Sequence, residues 1–186
     1  MIQLYYRIKF NRGEVMKITK NIDLSSYLGL NNREYFLTME GIAMEILADE
    51  ISADSVIPDF TLLSIPHVLK WMLGRAEILS KIKHNVEDTE YISHINGQID
   101  DLVLHAAYYL GESYIRSARS LSWETDKGCS NKRETMFPCV TGFKYEFKMY
   151  PVDEINNIRN NMIKKNPRSM ERCIDEVILH WLLKIN

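Results

Sequence analysis

The segment from about Asp88 to Ala118 constrains the fold more than any other part of this chain. Asp88 or Thr89 can cap a helix, and apolar side chains then recur at helical spacing as far as Tyr114. We predict one long central helix here. Its inner face, together with a tryptophan that follows it, should form much of the core: Ile92, Ile95, Ile99, Leu102, Val103, Ala106, Leu110, Tyr114 and Trp123.

Two glycines lie inside this predicted helix, at positions 97 and 111. A glycine in a helix interior costs about 1 kcal/mol relative to alanine, so its presence needs a local reason. We expect close helix packing or a kink at Gly111 and a break in the helix at Gly97.

The rest of the chain predicts shorter helices and a small β element. Helical spacing favours helices from about Arg33 to Ile51, from Pro66 to Ile82, from Pro151 to Met162, and again after Asn166-Pro167. In the last of these the predicted buried stripe is Met170, Ile174, Val177, Ile178, Trp181 and Leu182. Alternation predicts a strand through Phe143, Tyr145, Phe147 and Met149.

These elements predict an α+β fold: a mainly α-helical single domain, residues 1–186, with a small antiparallel β-meander after the central long helix. The length of 186 residues and the 46% hydrophobic content suit one domain with a sizeable core. Residues 1–15 have two interpretations. They are an upstream extension ahead of a natural start at Met16, or a short alternating strand from Ile2 to Phe10 that ends in a turn.

Charge is distributed unevenly along the chain. Every charged side chain from Glu34 to Val68 is acidic, whereas the first 20 residues and a late stretch from Arg159 to Arg172 are mainly basic. Such polarity speeds encounter with an oppositely charged partner. The predicted partner-binding residues are Glu45, Asp49, Glu50, Asp54 and Asp59 on one exposed face. The alternative interpretation is a solvated acidic face without a partner.

A second set of residues could form a pocket. His105, Tyr109, Glu112 and Arg116 are spaced by four, three and four residues, which aligns them on one helix face, and Trp123 could close a pocket over them. A neighbouring His and Glu can transfer protons, and an Arg can bind an anion. An ordinary intrahelical ion pair between Glu112 and Arg116 is the competing explanation.

Other chemistry lacks support in the sequence. The five histidines do not form an HxxxH or HExxH pattern, and no GxxxxGKS/T, GxGxxG or GxSxG pattern occurs, so we predict no metal, no cofactor and no catalytic residue. The net charge of -2 gives no general attraction to nucleic acid, and no apolar run predicts a membrane span. Three cysteines favour reduced thiols, although Cys129 and Cys139 could face each other across the β element.

The segment Tyr109-Leu110-Gly111-Glu112, followed by Trp123 and Pro138, resembles a group of small bacterial α+β proteins with a "YLGE…W…P…PF" pattern. These are immunity-like proteins of toxin–immunity systems of the contact-dependent inhibition type. In this chain Tyr150-Pro151 stands where the pattern has Pro-Phe. The resemblance covers about a third of the chain.

The resemblance implies a non-catalytic cytoplasmic protein that neutralises one cognate protein toxin by covering its active site or substrate-binding surface. The acidic charge between Glu34 and Val68 suits a basic toxin. Two other classes stay open: a small enzyme or ligand-binding protein built on the His105-to-Arg116 face, and a homodimer that would expose an apolar patch.

Overall fold

The computed structural model describes residues 6–9, 15–18, 32–125, 137–162 and 169–185. Two short strands near the beginning, β1 (Tyr6–Lys9) and β2 (Val15–Ile18), pair antiparallel, with Tyr6 opposite Ile18. The remainder of the predicted strand from Ile2 to Phe10 lies outside the described residues, as does Cys129.

Five α-helices account for most of the described residues, as the apolar spacing predicted. They are α1 (Asn32–Ala53), α2 (Ile65–Lys83), α3 (Thr89–Ser117), α4 (Pro151–Met162) and α5 (Met170–Leu182). Asp88 caps α3 as predicted, because its side chain accepts hydrogen bonds from the backbone N–H groups of Glu90 and Tyr91. Within the described ranges, no helix is both long and apolar enough to cross a bilayer.

Helix α3 is the centre of the molecule. It packs most extensively against α2 and also contacts α1 and α4. The predicted core residues Leu102, Ala106, Leu110 and Trp123 are all buried. Tyr114 connects α3 to α5, because its buried hydroxyl donates a 2.8 Å hydrogen bond to the carbonyl of Ile178. A buried hydroxyl needs such a partner to offset its loss of water.

The predicted break at Gly97 is wrong, since α3 continues through it without interruption. A Cβ added there would meet no atom within 4 Å, so neither packing nor geometry requires a glycine. At Gly111 the prediction of close packing is confirmed, but the neighbour is the side chain of Trp123 and not a second helix. A Cβ at this position would lie 2.1 Å from the Cη2 atom of Trp123.

A small antiparallel sheet follows α3, which confirms the α+β class. Strand β3 (Ser122–Glu124) pairs with β4 (Cys139–Thr141), with Trp123 opposite Val140. The predicted strand from Phe143 to Met149 is wrong: only Met149 pairs, through an isolated bridge to Val140. Phe143 and Met149 are buried at its two ends, whereas Tyr145 and Phe147 between them are exposed.

That intervening segment forms a 3-10 turn, Lys144–Glu146, with positive φ angles of 56° at both Tyr145 and Glu146. Aromatic alternation therefore did not reflect a strand with one buried face. A second correction concerns α5, where Ile174, Ile178 and Trp181 are buried as predicted but Leu182 is exposed. Cys173, outside the predicted stripe, is buried in its place.

The segment between α1 and α2, residues 54–64, is called the connector below. It follows Ala53, contains Pro58 and Phe60, and ends at Ser64 directly before α2. Val56, Phe60 and Leu62 of the connector pack against the hydrophobic core. The connector is therefore part of the folded body.

Gly111→Ala tests the close approach of α3 to Trp123. We expect this variant to lower the free energy of unfolding by about 1–3 kcal/mol, because the new methyl group overlaps the indole ring. Gly97→Ala is the matched control on the same helix and should raise stability by roughly 0.5–1 kcal/mol. Denaturant unfolding measures both. Equal stabilisation by the two substitutions would contradict the packing described.

Candidate functional site

The acidic residues predicted to bind a partner lie in three places. Glu45 and Asp49 lie one helical turn apart on α1 and are both exposed. Glu50 and Asp54 instead approach α2, through Arg75. Asp59 is exposed on the connector. Four of the five predicted carboxylates are therefore accessible to solvent, and together they extend from the outer side of α1 onto the connector.

Asp54 fixes the beginning of the connector against α2. Its Oδ2 atom accepts hydrogen bonds from Trp71 Nε1 at 2.6 Å and from Arg75 Nη2 at 3.3 Å. The Arg75 guanidinium also lies 3.8 Å from the centre of the Trp71 ring. The hydrogen bond from Trp71 and then that from Arg75 hold the pKa of Asp54 below its ordinary value.

Glu50 departs from the predicted exposed face. Its side chain is only 13% exposed, and its Oε2 atom lies 3.7 Å from Arg75 Nη1. Burial raises the pKa of Glu50 despite the opposing charge of Arg75, and burial likewise lowers the pKa of Arg75. For this pair the loss of water outweighs the mutual attraction. Glu50 thus belongs to the contact between α1 and α2 and is removed from the predicted binding face.

Asp59 shapes the connector locally. Its Oδ1 atom accepts hydrogen bonds from the backbone N–H of Thr61 at 2.9 Å and from the Thr61 hydroxyl at 2.8 Å. The backbone N–H of Thr61 is the main reason that the pKa of Asp59 lies below its ordinary value. The carboxylate is therefore charged and held in one orientation while it faces solvent.

The four α3 residues of the predicted pocket lie on one side of the helix, and two of them, His105 and Tyr109, are buried. His105 is 4% exposed, and its Nδ1 atom lies 2.5 Å from Oε2 of Glu40, a buried residue of α1. Glu112 accepts hydrogen bonds from Arg116 Nε at 2.9 Å and from Trp123 Nε1 at 3.1 Å. The polar atoms of the predicted pocket therefore bond to protein groups.

Tyr109 is fully buried and bonds to the connector at two points. Its hydroxyl oxygen accepts the backbone N–H of Phe60 at 3.0 Å and lies 2.7 Å from Ser64 Oγ. The Ser64 hydroxyl donates its own hydrogen to the carbonyl of Thr61, so Tyr109 is the donor toward Ser64. One hydroxyl group thus fixes the middle and the end of the connector.

Phe60 completes this attachment. Its ring stacks on Tyr109 with centroids 4.6 Å apart, and the Arg116 guanidinium lies 4.0 Å from its centre. The side chain of Arg116 is 51% exposed, so it covers the Phe60 ring from the solvent side. The two predicted sites therefore meet: Tyr109 and Arg116 of the predicted pocket hold the segment that carries Asp59.

Sequence reasoning missed Phe60, Ser64 and Tyr108. Tyr108 stacks parallel to Trp123, with 3° between ring planes, and burial raises the pKa of its phenol to about 12. The signal for Phe60 was available in the sequence, because an aromatic residue between Pro58 and Pro66 in a short loop usually packs against the body. No sequence pattern indicates which hydroxyl Ser64 contacts.

In the described part of the chain, no group of three or more His, Cys, Asp or Glu side chains is arranged to bind a metal ion. Comparison of the chain with protein-family models, curated proteins and solved structures finds no match.

Tyr109→Phe tests the attachment of the connector. The substitution leaves the Phe60 N–H and the Ser64 oxygen without their shared partner, so we expect a loss of about 1–3 kcal/mol in the free energy of unfolding. The Phe60 amide should also exchange its hydrogen faster. The control is Tyr91→Phe, which changes an exposed tyrosine on the same helix and should alter the free energy of unfolding by less than about 0.5 kcal/mol. Unchanged stability and exchange in Tyr109→Phe would contradict this attachment.

Glu50→Gln tests whether the cost of burying the Glu50 charge exceeds its attraction to Arg75. Because the pKa of Glu50 is raised in the folded state, its protonation favours folding, and this contribution is lost as pH rises from 4.5 through the raised pKa. The variant should therefore gain stability relative to the parent protein between acidic and neutral pH. Denaturant unfolding across that range measures the difference. Asp49→Asn, which changes an exposed acid on the same helix, is the control. A Glu50→Gln variant that loses stability at neutral pH would show that attraction to Arg75 outweighs the cost of burial.

Proposed function

We propose that this chain is a non-catalytic immunity protein, which binds a cognate bacterial toxin in the cytoplasm and covers the toxin's active site or substrate-binding surface. The toxin is expected to be a basic protein of the kind delivered in contact-dependent growth inhibition. The proposal combines the "YLGE…W…P" resemblance around Tyr109 and Trp123 with the charge and geometry of the described residues.

The observation that carries the proposal is the accessible acidic surface formed by Glu45, Asp49, Asp54 and Asp59. No Lys or Arg interrupts the sequence from Glu34 to Val68, and Arg75, which pairs with Asp54, is itself only 19% exposed. Clustered charge of one sign raises the rate of encounter with a partner of opposite sign. Basic proteins that act on nucleic acid have this complementary charge.

The packing of the predicted pocket favours a binding protein over an enzyme. His105, Tyr109 and Trp123 are each less than 10% exposed, and their polar groups bond to Glu40, Ser64 and Glu112. A ligand would have to replace these bonds to reach the same atoms. Residues that hold a structure together need no ligand to explain them.

The direct test is co-expression with the product of the gene immediately upstream. We expect that product alone to stop growth, and we expect the two proteins to co-purify when expressed together with growth restored. A harmless neighbour that forms no complex would contradict the proposal.

Charge reversal tests the acidic surface within such a complex. Glu45→Lys combined with Asp49→Lys should slow association with the upstream product by about ten-fold or more at low salt, because both exposed charges then repel a basic partner. Thermal stability should be unchanged. The matched control, Glu87→Lys with Asp175→Lys, changes the net charge equally at exposed positions outside this surface. Equal slowing in both double variants would attribute the effect to net charge and contradict a localised surface.

A further inference from the structure

From residue 56 onward, the connector presents every second side chain to solvent. Residues 57, 59, 61 and 63 are exposed, whereas residues 56, 58, 60 and 62 are partly buried and residue 64 is buried. The alternation places Ile57, Asp59, Thr61 and Leu63 on the outer side of one segment. Two of them are large apolar residues that are far more exposed than such side chains usually are, Ile57 at 71% and Leu63 at 86%.

The connector is fixed to the body of the protein at its beginning, middle and end. Asp54 bonds to Trp71 and Arg75 at the beginning, the Phe60 ring stacks on Tyr109 in the middle, and Ser64 bonds to Tyr109 at the end. A segment held in this way loses little conformational entropy when it binds another protein. Loss of conformational entropy is one of the main terms that weaken binding. The exposed Ile57 and Leu63 are therefore presented on a preorganised support.

The backbone of the connector is strained at the residue that supports it most. Phe60 has a φ angle of 58°, in the left-handed region that a side chain with a Cβ rarely occupies. Such a conformation persists only where its surroundings compensate for it, and strained backbone is frequent at binding sites. Here the stacking on Tyr109, the cover of Arg116 and the hydrogen bond from the Phe60 N–H supply the compensation.

We propose that the connector is the central contact of the interface with the toxin, with Ile57 and Leu63 as apolar anchors and Asp59 between them as a charged contact. This inference rests on the proposed function and assigns its binding surface. The occupant is a basic protein with an apolar recess, because the charged residues of the connector and of the preceding helix face are acidic, and Arg116, the exposed cation over Phe60, is paired with Glu112. Exposed Glu45 and Asp49 extend the same charge from the connector along α1.

Another exposed apolar region lies near the end of the chain and has the opposite charge. Tyr145 is 87% exposed and Leu183 is 79% exposed, and lysines 144, 148 and 184 are their neighbours in sequence. The Nζ atom of Lys184 lies 4.0 Å from the centre of the Phe147 ring, and the three lysines outnumber the one exposed carboxylate among residues 143–149, Glu146, so this region is basic as well as apolar. A basic toxin would be repelled there, which makes Leu183 a suitable control for the anchors.

The test measures affinity for the purified upstream product by surface plasmon resonance or calorimetry. Ile57→Ser and Leu63→Ser should each weaken binding by roughly ten-fold or more, mainly through faster dissociation, as expected of central apolar anchors. The combined variant should no longer restore growth on co-expression. Leu183→Ser, at a position of similar exposure, should leave affinity unchanged within about two-fold. All three side chains are exposed, so circular dichroism and thermal unfolding should match the parent protein.

The outcomes separate the two proposals. If the parent protein binds and neutralises the upstream product but the Ile57→Ser/Leu63→Ser variant does so equally well, the connector is not the interface and the proposed function stands. If Leu183→Ser weakens binding instead, the basic apolar region near the end of the chain is the interface. If the parent protein itself neither binds nor neutralises the product, both proposals fail.

Discussion

The buried hydroxyl of Tyr109 is the group on which the proposed binding surface depends. It belongs to a fully buried side chain in the last third of α3, and it bonds to the backbone of Phe60 and the side chain of Ser64 in place of water. Lifting the connector from α3 would break both hydrogen bonds and expose the stacked rings of Phe60 and Tyr109 to water. The connector is therefore held in one conformation by the core helix.

Hydrogen bonding of buried polar groups also explains why α3 can be both the core of the fold and the support of the proposed binding surface. One part of its circumference is apolar and packs against α2 and α4, and another bears polar groups that bond across to neighbouring elements: His105 to Glu40 and Glu112 to Trp123. These bonds join α1, the connector and the small sheet to one helix. A surface assembled from separate elements is thereby supported by a single rigid element, which favours preorganised binding.

Helical periodicity was sufficient to predict the five helices and most of the core, because burial of an apolar stripe is a local property of the sequence. It could also have separated the acidic residues of α1. Glu40 and Glu50 lie five residues from Glu45, which is about 140° around a helix, so they could not share its exposed face. A count of charges along the sequence, made without that geometry, assigned Glu50 to the surface. The structure instead places Glu50 against Arg75.

Other features depend on contacts between residues that are distant in sequence, so local sequence patterns could not predict them. The spacing of His105, Tyr109 and Arg116, by four and then seven residues, correctly aligned them on α3. The elements that contact them are α1 and the connector, which no spacing reveals. Likewise, aromatic alternation after Phe143 could not indicate that Tyr145 adopts a left-handed backbone and remains exposed.

The central claim is that the connector and the outer side of α1 form one interface on a rigid support. Hydrogen exchange of the chain, alone and in complex with the product of the upstream gene, tests this most directly. We expect slower exchange on binding to be concentrated in residues 45–64. Slower exchange confined to residues 143–149 and 179–185, with residues 45–64 unchanged, would contradict it.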